Sequence, residues 1–447
     1  MRFPAKRFLS GAARASMAIL IATAPLPGWA QIEEIVVTTR KVAENLQDIP
    51  ISVSALDSEF ITKQNIATTG DVLKFVPGVQ FDQAFSAADT RISIRGINSE
   101  RGRTSVAILV DGVDVSGENI TSGGGSSLLN TRLLDLERVE VVKGPQSALY
   151  GRNAFAGAIN YITRKPSLDE FEIRTFGDLA ANYSIYDVRG SISGPVIDGK
   201  LAMGLNAGTF KSDGYYENNN PTNPTANVGL GGGESIGARF VTLWQASDTF
   251  SAFWSIAYTE KKSEPRAVTK VGLPNTYYLN EVELPAGTQP DYSFNGQMTY
   301  GQWMGTVGSV DEKAISLSIS ERNGASFQGS EDNTLLTYLK LDWDIADRVL
   351  FKSQTSFLNN EAFLHEDVDF QSGFGTPIVR NGVATNYSVE NDYLDQTDTQ
   401  YVEQVFTVET TAWARGRFLL GVQGFWETAE NADYSLGWFN DPNFKQG

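Results

Sequence analysis

Few residues in this chain could make or break bonds. The 447 residues include one histidine, His365, and no cysteine. A histidine-based triad would rest on that residue alone, and thiolate catalysis, thiolate metal sites and disulfides are all ruled out. The sequence contains neither a G-x-S-x-G elbow nor a paired-histidine zinc helix. His365-Glu366-Asp367-Val368-Asp369 gathers nitrogen and oxygen donors of the kind a calcium or ferric ion accepts. Those donors lack the spacing of a defined site, so a solvated acidic loop is the expectation and no metal is assigned. Gly151 and Gly157 mark tight backbone turns, because the Lys-Ser/Thr ending of a phosphate loop is missing. The chain reads as a non-enzyme with no cofactor.

Its function then depends on where the chain goes and what shape it takes. Arg2, Lys6, Arg7 and Arg14 precede or flank an apolar stretch from Ala15 to Leu26, and Gly28-Trp29-Ala30 supplies the small residues of a cleavage site. Residues 1–30 are expected to be a secretory signal peptide cut after Ala30. Loss of those four bases takes the formal charge from −17 to −21, which argues against a nucleic-acid partner. Beyond the signal there is no apolar run of about eighteen residues, so no spanning helix is expected. Gly (42) and aromatic residues (11%) are abundant, which leaves a membrane β-barrel open to an exported chain.

Two halves follow different patterns. From Ile51 to Lys165, short strands alternate with short helices. Asp57 is a plausible cap for a helix through Asn65, and Thr69 or Asp71 for another through Phe75, ended by Pro77-Gly78. Strands are expected at 91–97, 105–115 with an Asp111-Gly112 hairpin, 138–144 and 157–165. After Pro166 come long alternating strands. Leu201, Met203, Leu205 and Ala207 fall on one face, and Ala202, Gly204, Asn206 and Gly208 on the other. The same alternation recurs at 250–258, 335–343 and 349–357, with tight turns at 197–200 and 346–348 and long loops at 217–233 and about 263–312. Such strands are longer than those of a soluble sandwich, and a barrel is the better reading.

The residues from about Glu33 to Pro166 resemble the N-terminal part of a TonB-dependent outer-membrane receptor. The most specific segment is "LLDLERVEVVKGPQSALYGRNAFAGAINYITRKP", which resembles the family's closing plug signature. "ISIRGI" and "VAILVDGVDV" resemble its central plug strands, and "EEIVVTTRK" its TonB box. The resemblance implies an α+β plug domain (42–166) behind a TonB-box segment (31–41), followed by an antiparallel transmembrane β-barrel (167–447). It also implies that the periplasmic domain of TonB adds a strand to Ile35, Val36, Val37, Thr38 and Thr39, because an exposed strand edge is a pairing template. Plug arginines of the family pair with acids of the barrel, which makes Arg95 and Arg152 the coupling candidates. The implied location is the bacterial outer membrane, with lipid around the barrel. The implied ligand is a small molecule such as a ferric chelate, a siderophore first, with cobalamin or a carbohydrate as alternatives.

The barrel is expected to be incomplete, an open curved sheet of about ten strands. Ten strands would close at a radius of roughly 10 Å, too narrow for a plug of roughly 18 Å, whereas about 22 strands give roughly 22 Å. A passive porin-like channel is the alternative, but it gives no role to residues 31–166.

Overall fold

The computed structural model describes residues 36–38, 44–45, 47, 49–83, 90–98, 102–116, 118–119, 134–180, 184–214, 216–218, 229–265, 268–272, 278–279, 282–283, 302–306, 314–315, 329–367, 378–380, 383–385, 387–410 and 416–439. The expected signal peptide, Ile35, Thr39 and much of both long loops lie outside the described residues.

The N-terminal half begins with β1 (Val36–Val37), paired antiparallel to β2 (Glu44–Asn45). Then come β3 (Ser52–Asp57), helix α1 (Ser58–Lys63), helix α2 (Thr69–Leu73), β4 (Val79–Gln83), β5 (Thr90–Ile94), β6 (Val106–Val110), β7 (Val113–Asp114), β8 (Leu136–Lys143), helix α3 (Ser147–Tyr150) and β9 (Gly157–Thr163). Five of these strands form one sheet in the order β3-β8-β9-β6-β7, in which only β6 and β9 run parallel. β6 and β9 read as almost unbroken apolar runs because both of their faces are covered.

Local chemistry sets the ends of these elements. Asp57 caps α1 as expected, its carboxylate accepting the Phe60 N–H at 2.8 Å. The cap of α2 is Thr68, not Thr69 or Asp71, and the helix ends at Leu73, short of Phe75. Thr68 Oγ1 accepts the Asp71 N–H while the Asp71 carboxylate accepts the Thr68 N–H, so Asp71 closes a capping box from the third helical position. Asp111 and Gly112 both have positive φ (51° and 83°), the backbone of a two-residue turn that matches the twist of β6 and β7.

Among the described residues, the main sheet of the C-terminal half is a wall of nine antiparallel strands, open as expected and in line with about ten. They are β10 (Glu172–Ala180), β11 (Ile185–Ile197), β12 (Leu201–Ser212), β13 (Gly233–Ser247), β14 (Phe250–Ser263), β15 (Gly329–Ala346), β16 (Val349–Asp367), β17 (Tyr387–Thr410) and β18 (Gly416–Phe439), hydrogen-bonded in that order. β10 and β18 do not pair with each other, so the sheet is open. His365–Asp367, expected in a loop, continue β16 because each pairs in register with β17, at Asp392, Asn391 and Glu390.

The alternation read from the sequence fixes the two faces. Leu205, Ile236, Trp254, Tyr258, Leu339 and Trp343 are exposed on the outer face, while Ala202, Asn206, Arg239, Ser255 and Tyr338 are buried on the inner one. Near the short turns, Trp244, Phe250 and Trp343 meet edge to face at 6.2 and 6.4 Å, as in an aromatic girdle. Inner-face residues Val241, Phe253, Leu336 and Leu358 belong to one apolar core with Ile108, Val139 and Tyr161 of the N-terminal domain. That domain therefore fills the concave side of the wall, as a plug does.

Candidate functional site at the plug and wall

β1 does not stand free. Val37 is fully buried and Val36–Val37 pairs with Glu44–Asn45. Thr38 donates its N–H at 2.9 Å to Glu140, a carboxylate buried at the middle of β8 that also accepts from Arg138 Nε at 2.8 Å. Burial raises the Glu140 pKa, against the opposing pull of Arg138 and the Thr38 hydrogen bonds. The N-terminal segment is thus docked on the plug sheet, and β2 and the Glu140 carboxylate occupy backbone groups that a partner strand would use.

Among the described residues, the densest polar contact between plug and wall lies at the Asp111-Gly112 turn. Asp111 accepts the Thr163 N–H at 2.8 Å, and its second carboxylate oxygen accepts the hydroxyls of Thr163 and Tyr338. Arg239 reaches Thr163 Oγ1 at 2.6 Å and lies 3.9 Å from Asp111. Lys340 donates to the Asp111 carbonyl at 2.6 Å and Gln354 to the Gly112 carbonyl at 3.1 Å. Three wall strands, β13, β15 and β16, therefore converge on one plug hairpin. Sequence reasoning read Asp111 only as a turn residue. The available signal was Arg239, a lone guanidinium on the small inner-facing positions of "GESIGARFVTLW".

The two arginine candidates part company. Arg152 donates from Nη2 to Glu427 Oε2 at 2.6 Å, and its guanidinium carbon sits 3.5 Å from the centre of the Phe425 ring, both on β18. Arg95 is an exposed turn residue with φ 53°; its backbone N–H bonds Gly78, and its guanidinium lies beside Gly144, within the plug. The structure brings Arg152 to the wall and leaves Arg95 on the plug's own surface. Among the described residues no group of His, Asp and Glu is arranged to hold a metal.

Two inner-wall glycines let the plug approach closely. A Cβ at Gly208 or Gly237 would lie 3.1 or 3.2 Å from the Leu134 side chain. A cavity of about 450 Å³ separates α1 from the inner face of β10–β12, and another of about 320 Å³ lies between Thr38, Arg138, Lys352 and Glu403.

Comparison with known proteins matches these features. Residues 45–158 fit the profile of the TonB-dependent receptor plug domain. Over 314 residues the chain is 28% identical to the vitamin B12 transporter BtuB of Vibrio vulnificus, covering 69% of this chain and 46% of that one. It is 37% identical over 137 residues to an iron-regulated outer membrane virulence protein of Vibrio cholerae, covering 30% and 20%. The fold matches the ferripyoverdine receptor of Pseudomonas aeruginosa with a TM-score of 0.65 at 14% identity, over 92% of this chain and 46% of that one. It matches the ferric yersiniabactin receptor FyuA of Yersinia pestis with a TM-score of 0.60 at 17% identity, over 87% and 50%. The chain spans half or less of the length of each. Residues 45–158 thus carry a TonB-dependent receptor plug domain, seated against the concave side of a β wall whose fold matches those receptors.

Proposed function

We propose that the chain is the plug-bearing part of an outer-membrane receptor that imports a scarce ligand too large for passive pores, driven by TonB. In this reading residues 1–30 direct export through the periplasm, 31–41 form the TonB-box segment, 42–166 the plug and 167–447 part of the lipid-facing barrel. One observation carries it: a short β-strand at residues 36–37 sits directly ahead of a domain that occludes the concave wall. A passive channel has no use for either feature. TonB adds a strand along Ile35 to Thr39 through main-chain pairing, after Thr38 leaves Glu140.

Ferric siderophores are the first ligand class, supported by fold likeness to receptors for ferripyoverdine and ferric yersiniabactin. Cobalamin is the second, supported by the match over 314 residues to a vitamin B12 transporter. Arg152 with Glu427 is the plug–barrel coupling pair of this reading, and Arg95, the other coupling candidate, would have to reach the barrel from the plug's own surface. The test is uptake of radiolabelled ferric siderophores and cyanocobalamin by cells that depend on this receptor. Val36→Pro removes a strand donor and should abolish uptake while leaving ligand binding intact, whereas Val36→Thr should transport nearly normally. Uptake by the Val36→Pro variant equal to the parent's would refute TonB drive through this strand.

A further inference from the structure

The plug is held unevenly. Toward β13–β16 it shares an apolar core with the wall, and the Asp111 turn is tied there by Arg239, Tyr338, Lys340 and Gln354. Toward β10–β12 the cavity of about 450 Å³ intervenes, within the range of small-molecule sites. Across that gap, among the described residues, Asn65 supplies polar bridges: its Nδ2 donates to Asp178 at 2.6 Å and its Oδ1 accepts from Arg189 at 3.1 Å. Asn65 itself has φ 49°, a left-handed conformation that a non-glycine residue holds at some cost. These bridges are exposed and few, so α1 separates from the wall more readily than the Asp111 hairpin does.

We propose that the imported ligand crosses between helix α1 and the inner face of β10–β12, while the β6–β7 hairpin and β9 stay fixed to β13–β16. The inference rests on the transport reading above. The lining suits it: Ile61 and Ile66 face Arg174, Arg189, Ser191 and Asn206. Arg174 Nη1 is buried with no hydrogen-bond partner among the described residues, a donor available to an acceptor-rich polar chelate.

The chain has no cysteine, so single thiols report cleanly. Ser191→Cys places a thiol at the cavity and Ser356→Cys places one on the inner face of β16, which is on the anchored side. Intact cells carrying the full receptor are treated with a membrane-impermeant maleimide, with and without a protonophore. Labelling of S191C should be at least threefold faster in energised cells, and labelling of S356C should not change. Equal acceleration of both would mean that the whole plug moves, and no acceleration of S191C would mean that the passage lies elsewhere; either overturns the proposal.

A second arm bridges Asn65→Cys to Asp178→Cys with a short bis-maleimide, and Gly112→Cys to Gln354→Cys in a separate receptor. The first bridge should cut uptake of the transported ligand at least tenfold, and the second should leave it within twofold. Equal effects of the two bridges would refute the asymmetry. Uptake before the linker is added reports on the transport reading itself, so failure of that reading is seen separately.

Discussion

At the scale of single residues, Asp111 carries more of the architecture than any charged side chain that the sequence singled out. Asp111→Ala would leave Thr163, Tyr338 and Arg239 facing one another without their shared acceptor, in a site where Arg239 is 4% exposed. Removing one partner of such a buried set costs about 3–5 kcal/mol, and Asp111→Asn should also destabilise because its amide would present donors to donors. The urea midpoint for protease protection of the plug in isolated outer membranes should fall for both, and more for Ala. Arg152 is a smaller, separable case. A double-mutant cycle of Arg152→Ala with Glu427→Ala should give a coupling of about 0.5–3 kcal/mol in the same assay. Arg152→Lys should recover only part of it, since lysine keeps the charge and loses the planar stack on Phe425.

Among elements, strand entries and loop bases set the tolerances. A Cβ at Gly157 would fall 2.3 Å from the Val142 carbonyl oxygen, so Gly157→Ala should force β9 away from β8 and cost about 3 kcal/mol, read as a lowered midpoint of plug unfolding. At the loop-side end of β14, Glu264 accepts the Gly232 N–H at 2.9 Å and returns its own N–H to the Gly232 carbonyl, which ties two loop bases together. Burial, with help from Asp213, pushes its pKa up to about 7. Because the folded value lies above the unfolded one of about 4.5, this group's contribution is complete below pH ~4.5 and lost as pH rises through about 7. The protection of the Gly232 amide, its exchange taken relative to the intrinsic base-catalysed rate at each pH, should therefore be lower at pH 8 than at pH 5.5, and Glu264→Gln should flatten that difference. The strands and caps of these elements were largely legible, because period-two alternation and an Asp before a helix are local signals. The cap of α2 was misplaced by one residue because Thr68, Thr69 and Asp71 all suit a cap, and only the reciprocal bonds decide. The Asp111 cluster was not legible, since its members are separated by up to 242 residues and meet only when the sheet curves.

Over the whole molecule, plug and wall are two domains by pattern but share one core. Val241, Phe253, Leu336 and Leu358 complete the apolar cover of Ile108 and Tyr161, so residues 42–166 without the wall would expose that face. Expressed alone, this segment should be soluble but only marginally ordered, with no disulfide to restrain it. A cooperative melt in the ordinary mesophilic range of about 45–65 °C would contradict this. Among the described residues, the nine-stranded wall has β10 and β18 as its two edge strands, and a strand edge in hydrocarbon is stable only when its backbone groups are paired.

The join between plug and wall is short. β9 ends at Thr163 and β10 begins at Glu172, leaving residues 164–171 between them. Fully extended, the nine residue steps from Thr163 to Glu172 reach about 30–32 Å. However far the plug is drawn from its seat, its last strand stays within that radius of the first wall strand. Reseating is then a unimolecular event at an effective concentration in the millimolar range, independent of how many receptors the membrane holds. In the proposed transport cycle each turnover would end with the same plug in the same barrel, so the rate of resealing should not change with expression level, and neighbouring receptors should not exchange plugs.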